Sequence, residues 1–220
     1  MLTATPERYR TRVLRALCVA GSLTVEGVAR RSGIGVGIAH GELLAAESVG
    51  LVVDCAATGR WSSTAIGRIL LRRLASAETV EGHRTRLASL RPRLAELDVE
   101  VANLTSRWFL REGEAGDRGA AMVINDHHDP IYDAAVLEDV ARTHPERITA
   151  IYAAVVIVPR MERYAGRLAD AWRRVRLGEH AALGDPEQDA YFDVWAEFLR
   201  DLDALAGWSG VRPHEVRRAG

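Results

Sequence analysis

The stretch "LTVEGVARRSGIGVGIAHGELLAAESVGLVVDCAATGRWSS", residues 23 to 63, decides how the first third of this 220-residue chain folds. Its opening, "LTVEGVARRSG", reads as a short helix with Thr24 as N-cap and Gly33 as the turn that ends it. "VGIAHGELLAAESVG" (36 to 50) continues as a second helix closed by Gly50, and "LVVDCAATGRWSS" (51 to 63) as two short strands around an Ala-Thr-Gly turn. Upstream, "ERYRTRVLRALCVAG" (7 to 21) sets Tyr9, Val13, Ala16, Leu17 and Ala20 on one helical face and stops at Gly21. Downstream, "STAIGRILLRRL" (63 to 74) begins another helix.

Helix, helix-turn-helix, β-hairpin, helix is the order of a winged helix. The run from "LTVEGVARRSGI" through "ELLAAESVGLV" to "GRWSSTAIGRILL" resembles the winged-helix domain of MarR-like and related bacterial regulators, in which a "GLV" ends the recognition helix and an "LTxxGRxxL"-type helix follows the wing. The resemblance covers the first third of the chain and implies a DNA-binding fold. One departure concerns the reading helix itself. Such helices present Arg, Gln or Asn to base edges, whereas residues 35 to 48, "GVGIAHGELLAAES", offer His40 alone as a base reader, with Gly37 allowing close backbone approach. Arg30 and Arg31 at the end of the preceding helix, and Arg60 on the wing, are phosphate contacts in kind.

Charge distribution agrees with that division of labour. Residues 1 to 75 hold ten Arg against five acids, a net of +5, and residues 76 to 220 hold nineteen Arg against twenty-five acids, a net of −6. A basic module joined to an acidic one is what a nucleic-acid-binding domain with a non-binding partner domain would show. All 29 basic residues are Arg and none is Lys, which together with the Ala and Gly load suggests a high-GC bacterial genome. The two cysteines, Cys18 and Cys55, have neither the number nor the spacing of a disulfide framework or zinc knuckle. The longest apolar run, "ITAIYAAVVIV" (148 to 158), is too short to span a bilayer. The expectation is a cytoplasmic protein without a membrane partner.

Beyond residue 75 the pattern is helical. Leu87, Leu90, Leu94, Leu97, Val101, Leu104 and Trp108 alternate at spacings of three and four, a narrow stripe suited to a dimer seam or to a bundle core, and the seam is the favoured reading. Pro92 is expected to begin or kink this helix. "LREGEAGDRGA" (110 to 120) reads as a closing loop and "AMVI" (121 to 124) as a short strand. Asp129-Pro130, His144-Pro145 and Asp185-Pro186 read as helix starts, Pro159 as a break, and the last of these helices is expected to bury Tyr191, Val194, Trp195, Phe198, Leu202 and Leu205. The fold class expected is mainly α, divided as a winged helix with a hairpin wing (1–75), a linker and dimerisation helix (76–111), a helical regulatory or ligand-binding domain (112–207) and a flexible tail (208–220).

"VINDHHDPIYD" (123 to 133) concentrates polar chemistry in an otherwise Ala-, Leu- and Arg-rich chain. Asp126, His127, His128, Asp129 and Asp133, joined by His144, are acceptable ligands for a divalent cation. Adjacent histidines diverge on a regular strand or helix, however, and no metal or other cofactor is expected. No phosphate loop, dinucleotide fingerprint, zinc-protease or nucleophile-elbow motif occurs, so the chain is not read as an enzyme. Asp129 before Pro130 is an N-cap by type and position. Capping does not require His127, His128 or Tyr132, and these, with Asp126 and an apolar wall from Trp108, are the expected small-molecule effector site. A block of the form "NDHxDPxYDxxVL" also resembles segments found with phosphoenolpyruvate-utilising enzymes, without their catalytic signatures. The expected function is therefore a homodimeric regulator of transcription that binds double-stranded DNA and responds to an effector. The alternative is a winged-helix interaction or accessory module of a metabolic enzyme.

Overall fold

The computed structural model describes residues 6–78, 80–113, 121–185 and 188–207. Their fold is mainly helical, with two small antiparallel sheets. The chain divides into two compact units, one formed by residues 1–85 with 197–209 and one formed mainly by 86–196. The expected tail, 208–220, lies outside the described residues. Among those described, no helix is long and apolar enough to cross a membrane.

The first unit runs α1 (Pro6–Ala20), β1 (Ser22–Leu23), α2 (Val25–Ser32), α3 (Val36–Glu47), β2 (Val52–Cys55), β3 (Arg60–Ser63) and α4 (Ala65–Glu78). Thr24 caps α2 by accepting from the Gly27 N–H, and Gly33 ends it at φ +66°, the left-handed region that only Gly adopts at little cost. The strand β1 was not expected. It makes the hairpin a three-stranded sheet of order β1-β3-β2, with Leu23 opposite Trp61 and Asp54 opposite Trp61 on the other side. Two residues carry too little periodicity to be read as a strand, and only pairing with β3 defines them. One core unites Val13, Leu14, Leu17, Val28, Leu43 and Trp61. Gly67, in the first turn of α4, lies where a Cβ would meet the Leu51 carbonyl oxygen at 2.1 Å, so the helix start is pressed against backbone. The Thr64 hydroxyl accepts from the Gly67 N–H (3.1 Å) and the Thr64 N–H donates to the same Leu51 oxygen (3.0 Å).

The second unit holds most of α5 (Glu81–Phe109), then β4 (Leu110–Glu112), β5 (Met122–Ile124), α6 (Pro130–Val155), a 3₁₀ turn (Pro159–Met161), α7 (Glu162–Arg176), α8 (Ala181–Gly184) and the start of α9 (Tyr191–Ala206). Several expectations need correction. Neither Pro92 nor Pro145 starts a helix: each lies inside one, where it deletes one backbone hydrogen bond. The third proline start, Asp185-Pro186, falls at residues 186–187, outside the described residues, and the described helix that follows, α9, begins at Tyr191. Residues 110–112 are a strand paired with β5, Arg111 opposite Val123, and not loop. Most consequentially, Leu87, Leu94, Leu97, Val101, Leu104 and Trp108 are all at most 5% exposed within the single chain. These six are core of the single chain, and Leu90, the remaining member of the stripe, is part-buried. The apolar face expected of the last helix, Tyr191 to Leu205, is buried throughout.

Candidate functional site

In the first unit, α3 packs inward through Ala39, Leu43 and Ala46 at positions i, i+4 and i+7. Its opposite face carries Gly37, His40, Gly41 and Leu44, all exposed, with Val36 and Ile38 about half exposed beside them. Gly37 and Gly41 face open space. Arg30 is exposed at the end of α2. Arg31 is not available to a phosphate: its side chain is 4% exposed and its Nε donates to Glu197 Oε1 of α9 at 2.7 Å. A helix-terminal arginine pair looks uniform in sequence, but successive helical positions point about 100° apart, and here one faces solvent and the other the core. Arg60 on β3 turns back on β1, donating through Nη2 to the Ser22 carbonyl (2.5 Å) and through Nε to the Ser22 hydroxyl (3.3 Å).

In the second unit the block 123–133 forms a closed junction. Asp129 caps α6, its Oδ1 accepting from the N–H groups of Ile131 and Tyr132, both at 3.0 Å. Asn125, buried, continues the ladder from its N–H to the Phe109 carbonyl (2.9 Å). Its Nδ2 donates to the Trp108 carbonyl (3.1 Å) and to Asp133 Oδ1 (2.8 Å). Its Oδ1 accepts from the His127 N–H at 3.2 Å, which holds His127 at φ +59°. His127 Nδ1 is 3.0 Å from Asp133 Oδ2, and its ring stacks 4.4 Å from Trp108. Donation to a carboxylate assigns a proton to Nδ1.

Three of the five expected effector contacts, Trp108, His127 and Tyr132, lie in this junction, and they are already engaged with neighbouring side chains or backbone. Trp108 is 4% exposed. The Tyr132 hydroxyl donates between the Arg107 and Leu110 carbonyls, at 3.1 and 3.2 Å. His127 is held by Asp133. Asp126 and His128 stand apart: His128 is 86% exposed and bonds Asp126 at 3.2 Å, which with the His128 N–H and Arg111 lowers the Asp126 pKa. Asn125 and Asp133 are the residues that sequence reasoning undervalued. The only signal was a polar residue directly after the apolar "MVI". Among the described residues no group of three or more His, Cys, Asp or Glu is placed to hold a metal ion.

Open space lies instead between α5 and α6. Arg93, Glu100 and Arg107, spaced seven apart on α5, reach to Glu146, Arg147 and Asp139 of α6. Two cavities lie along this line, of about 250 and 350 Å³, and none of Trp108, Asp126, His127, His128 or Tyr132 lines either. The smaller is polar, with Asp139 accepting from Arg107 (2.6 Å) and Arg142 (2.5 Å), hydrogen bonds that lower its pKa. Behind it Arg147 is 0% exposed, donates to Thr143 Oγ1 (2.7 Å), and faces Glu100 Oε2 at 3.9 Å.

No family model, curated protein or solved structure matches the chain.

Proposed function

We propose that this chain is a two-unit transcriptional regulator, its first unit a winged helix that docks on double-stranded DNA and its second a helical sensor of a small molecule. The observation that carries the reading is α3. It is anchored by one face and free along the other, within the order α1-β1-α2-α3-β2-β3-α4, which is consistent with a helix-turn-helix followed by a hairpin wing. With Arg31 committed to Glu197, the phosphate contacts fall to Arg30 and other exposed cations of the unit, and the Gly37, His40 and Gly41 face supplies close approach and one base-reading group. Binding of this kind positions the protein more than it reads sequence.

A second reading is favoured by one observation: half-exposed Val36, Ile38 and Leu44 give α3 a cation-free, partly apolar face, which suits a protein partner better than a phosphate backbone. Fluorescence polarisation separates the two. A labelled duplex from the protein's own promoter should bind at about 50 mM salt, more tightly than a random duplex, with a salt slope set by a few phosphate contacts. Absence of binding at low salt would establish the interaction module instead.

A further inference from the structure

Three exposed arginines of the first unit, Arg68, Arg72 and Arg73, lie on α4, whose one acid is its last residue, Glu78. Among the described residues Arg68 donates to the Ser63 carbonyl at 2.7 Å, while Arg72 and Arg73 make no hydrogen bond or ion pair. Arginine is used differently in the second unit, where Arg93, Arg107, Arg142, Arg173 and Arg174 each hold a carboxylate. The charge on α4 is thus left unneutralised. It is felt on the neighbouring α1: burial pushes the Cys18 pKa up, against the Ser63 hydrogen bond and the charges of Arg68, Arg15 and Arg72.

The helix α3 and the wing carry the opposite sign. Glu42 and Glu47 are the acids of α3, which has no Arg, and Arg10 lies 3.6 Å from Glu42. Exposed Asp54 on β2 adds another acid, and Arg60 is turned to Ser22. A polyanion is therefore drawn to α4 rather than to α3. The spacing suits a phosphate backbone, which presents one charge about every 3.4 Å of duplex axis on each strand. Arg68 and Arg72, one turn apart, are separated by about 6 Å along α4, and Arg73 is set about 100° round from Arg72, so the three address separate phosphates rather than one shared anion. Ile66 and Ile69 are exposed on the same helix. With Gly67, Leu71 and Ala75 already buried in the unit, Ile66 and Ile69 alone are too little apolar face for a lipid surface.

We propose that α4 is a phosphate-docking surface for double-stranded DNA, separate from α3, on which Arg68, Arg72 and Arg73 each donate to a backbone phosphate. The contact is electrostatic and independent of base sequence. It rests on the reading above that the first unit meets DNA.

Fluorescence polarisation of a labelled random duplex, titrated with the full chain across a range of salt, tests it. The triple variant Arg68→Gln, Arg72→Gln, Arg73→Gln should keep the circular dichroism of the parent. At about 50 mM salt it should lose at least about tenfold in affinity, and its salt slope should fall by about 0.9 for each phosphate contact removed. Lys at the same three positions keeps the charge and should bind within about threefold of the parent. The triple Arg142→Gln, Arg173→Gln, Arg176→Gln removes as much charge from exposed positions of α6 and α7 and should leave the salt slope unchanged. The proposal is overturned, and docking through α3 stands, if the α4 Gln triple binds like the parent while Gly37→Glu abolishes binding. Anionic vesicles of phosphatidylserine in phosphatidylcholine that bind the parent but not the α4 Gln triple, with duplex binding unchanged, would overturn it in favour of a lipid surface. Loss of binding in the α4 Gln triple, with promoter and random duplexes bound equally by the parent, would keep the surface and remove the regulator reading. A parent that binds no duplex at low salt would sink both.

Discussion

The Nδ1 atom of His144 lies 3.0 Å from the Tyr191 hydroxyl, and Arg147 Nη1 lies 3.4 Å from the same oxygen. Arginine only donates, so Tyr191 accepts from Arg147 and gives its own proton to Nδ1, fixing His144 as the neutral Nε2–H tautomer. Burial, and then the Arg147 charge, push the His144 pKa down to about 4 from 6.5. The sign follows. Because the unfolded chain binds the proton first, the stability His144 contributes is complete above about pH 6.5 and is lost as pH falls toward 4. The urea midpoint of the parent should therefore fall more steeply across that window than that of His144→Gln. Parallel curves would exclude the linkage.

Arg31 and Arg30 should behave oppositely although they are neighbours. Arg31→Met removes the 2.7 Å partner of Glu197, a carboxylate 1% exposed at its side chain, and should cost about 3–5 kcal/mol in chemical denaturation. Adding Glu197→Leu should recover most of that loss. Arg30→Ala should change stability by no more than about 0.5 kcal/mol and weaken DNA binding.

Glycines in two helices give a test of opposite sign. Gly37→Ala and Gly41→Ala, facing open space on α3, should each stabilise by about 0.5–1 kcal/mol. Gly67→Ala should destabilise despite the better helix propensity of Ala, since its Cβ would lie 2.1 Å from the Leu51 oxygen. Thermal unfolding of the three variants checks this; a stabilised Gly67→Ala would show that α4 does not press on Leu51.

Leu97→Ala, at a position 0% exposed, should cost about 2–5 kcal/mol and leave the sedimentation behaviour of the folded protein unchanged, because Leu97 is core of the single chain. A variant that changed only its association state would restore the seam.

At the start of α6, Asp129→Ala should cost on the order of 1 kcal/mol, the loss of a cap on two N–H groups. Asp133→Ala should cost more, since it strips the 2.8 Å acceptor from buried Asn125 and the 3.0 Å acceptor from His127. His128→Ala, by contrast, should be close to neutral.

What the sequence determined by itself is local. Thr24 and Gly33 bounding α2, Asp129 capping α6 before Pro130, the hairpin turn between β2 and β3, and the apolar periods of α1, α5 and α9 all rest on interactions within a few residues, and each is legible from neighbours alone. Tertiary structure decided whatever depends on which face meets which. The Leu87 to Trp108 stripe has the same spacing whether it meets another chain or its own, and only the packed chain shows it buried. Pro145 is a good helix start locally, yet α6 runs through it. Arg31 and Arg30 differ only in the direction each takes from α2, and the partner that claims Arg31 lies 166 residues away. The cavity between α5 and α6 has no signature in either helix, because a void belongs to the spacing of two surfaces and to no residue.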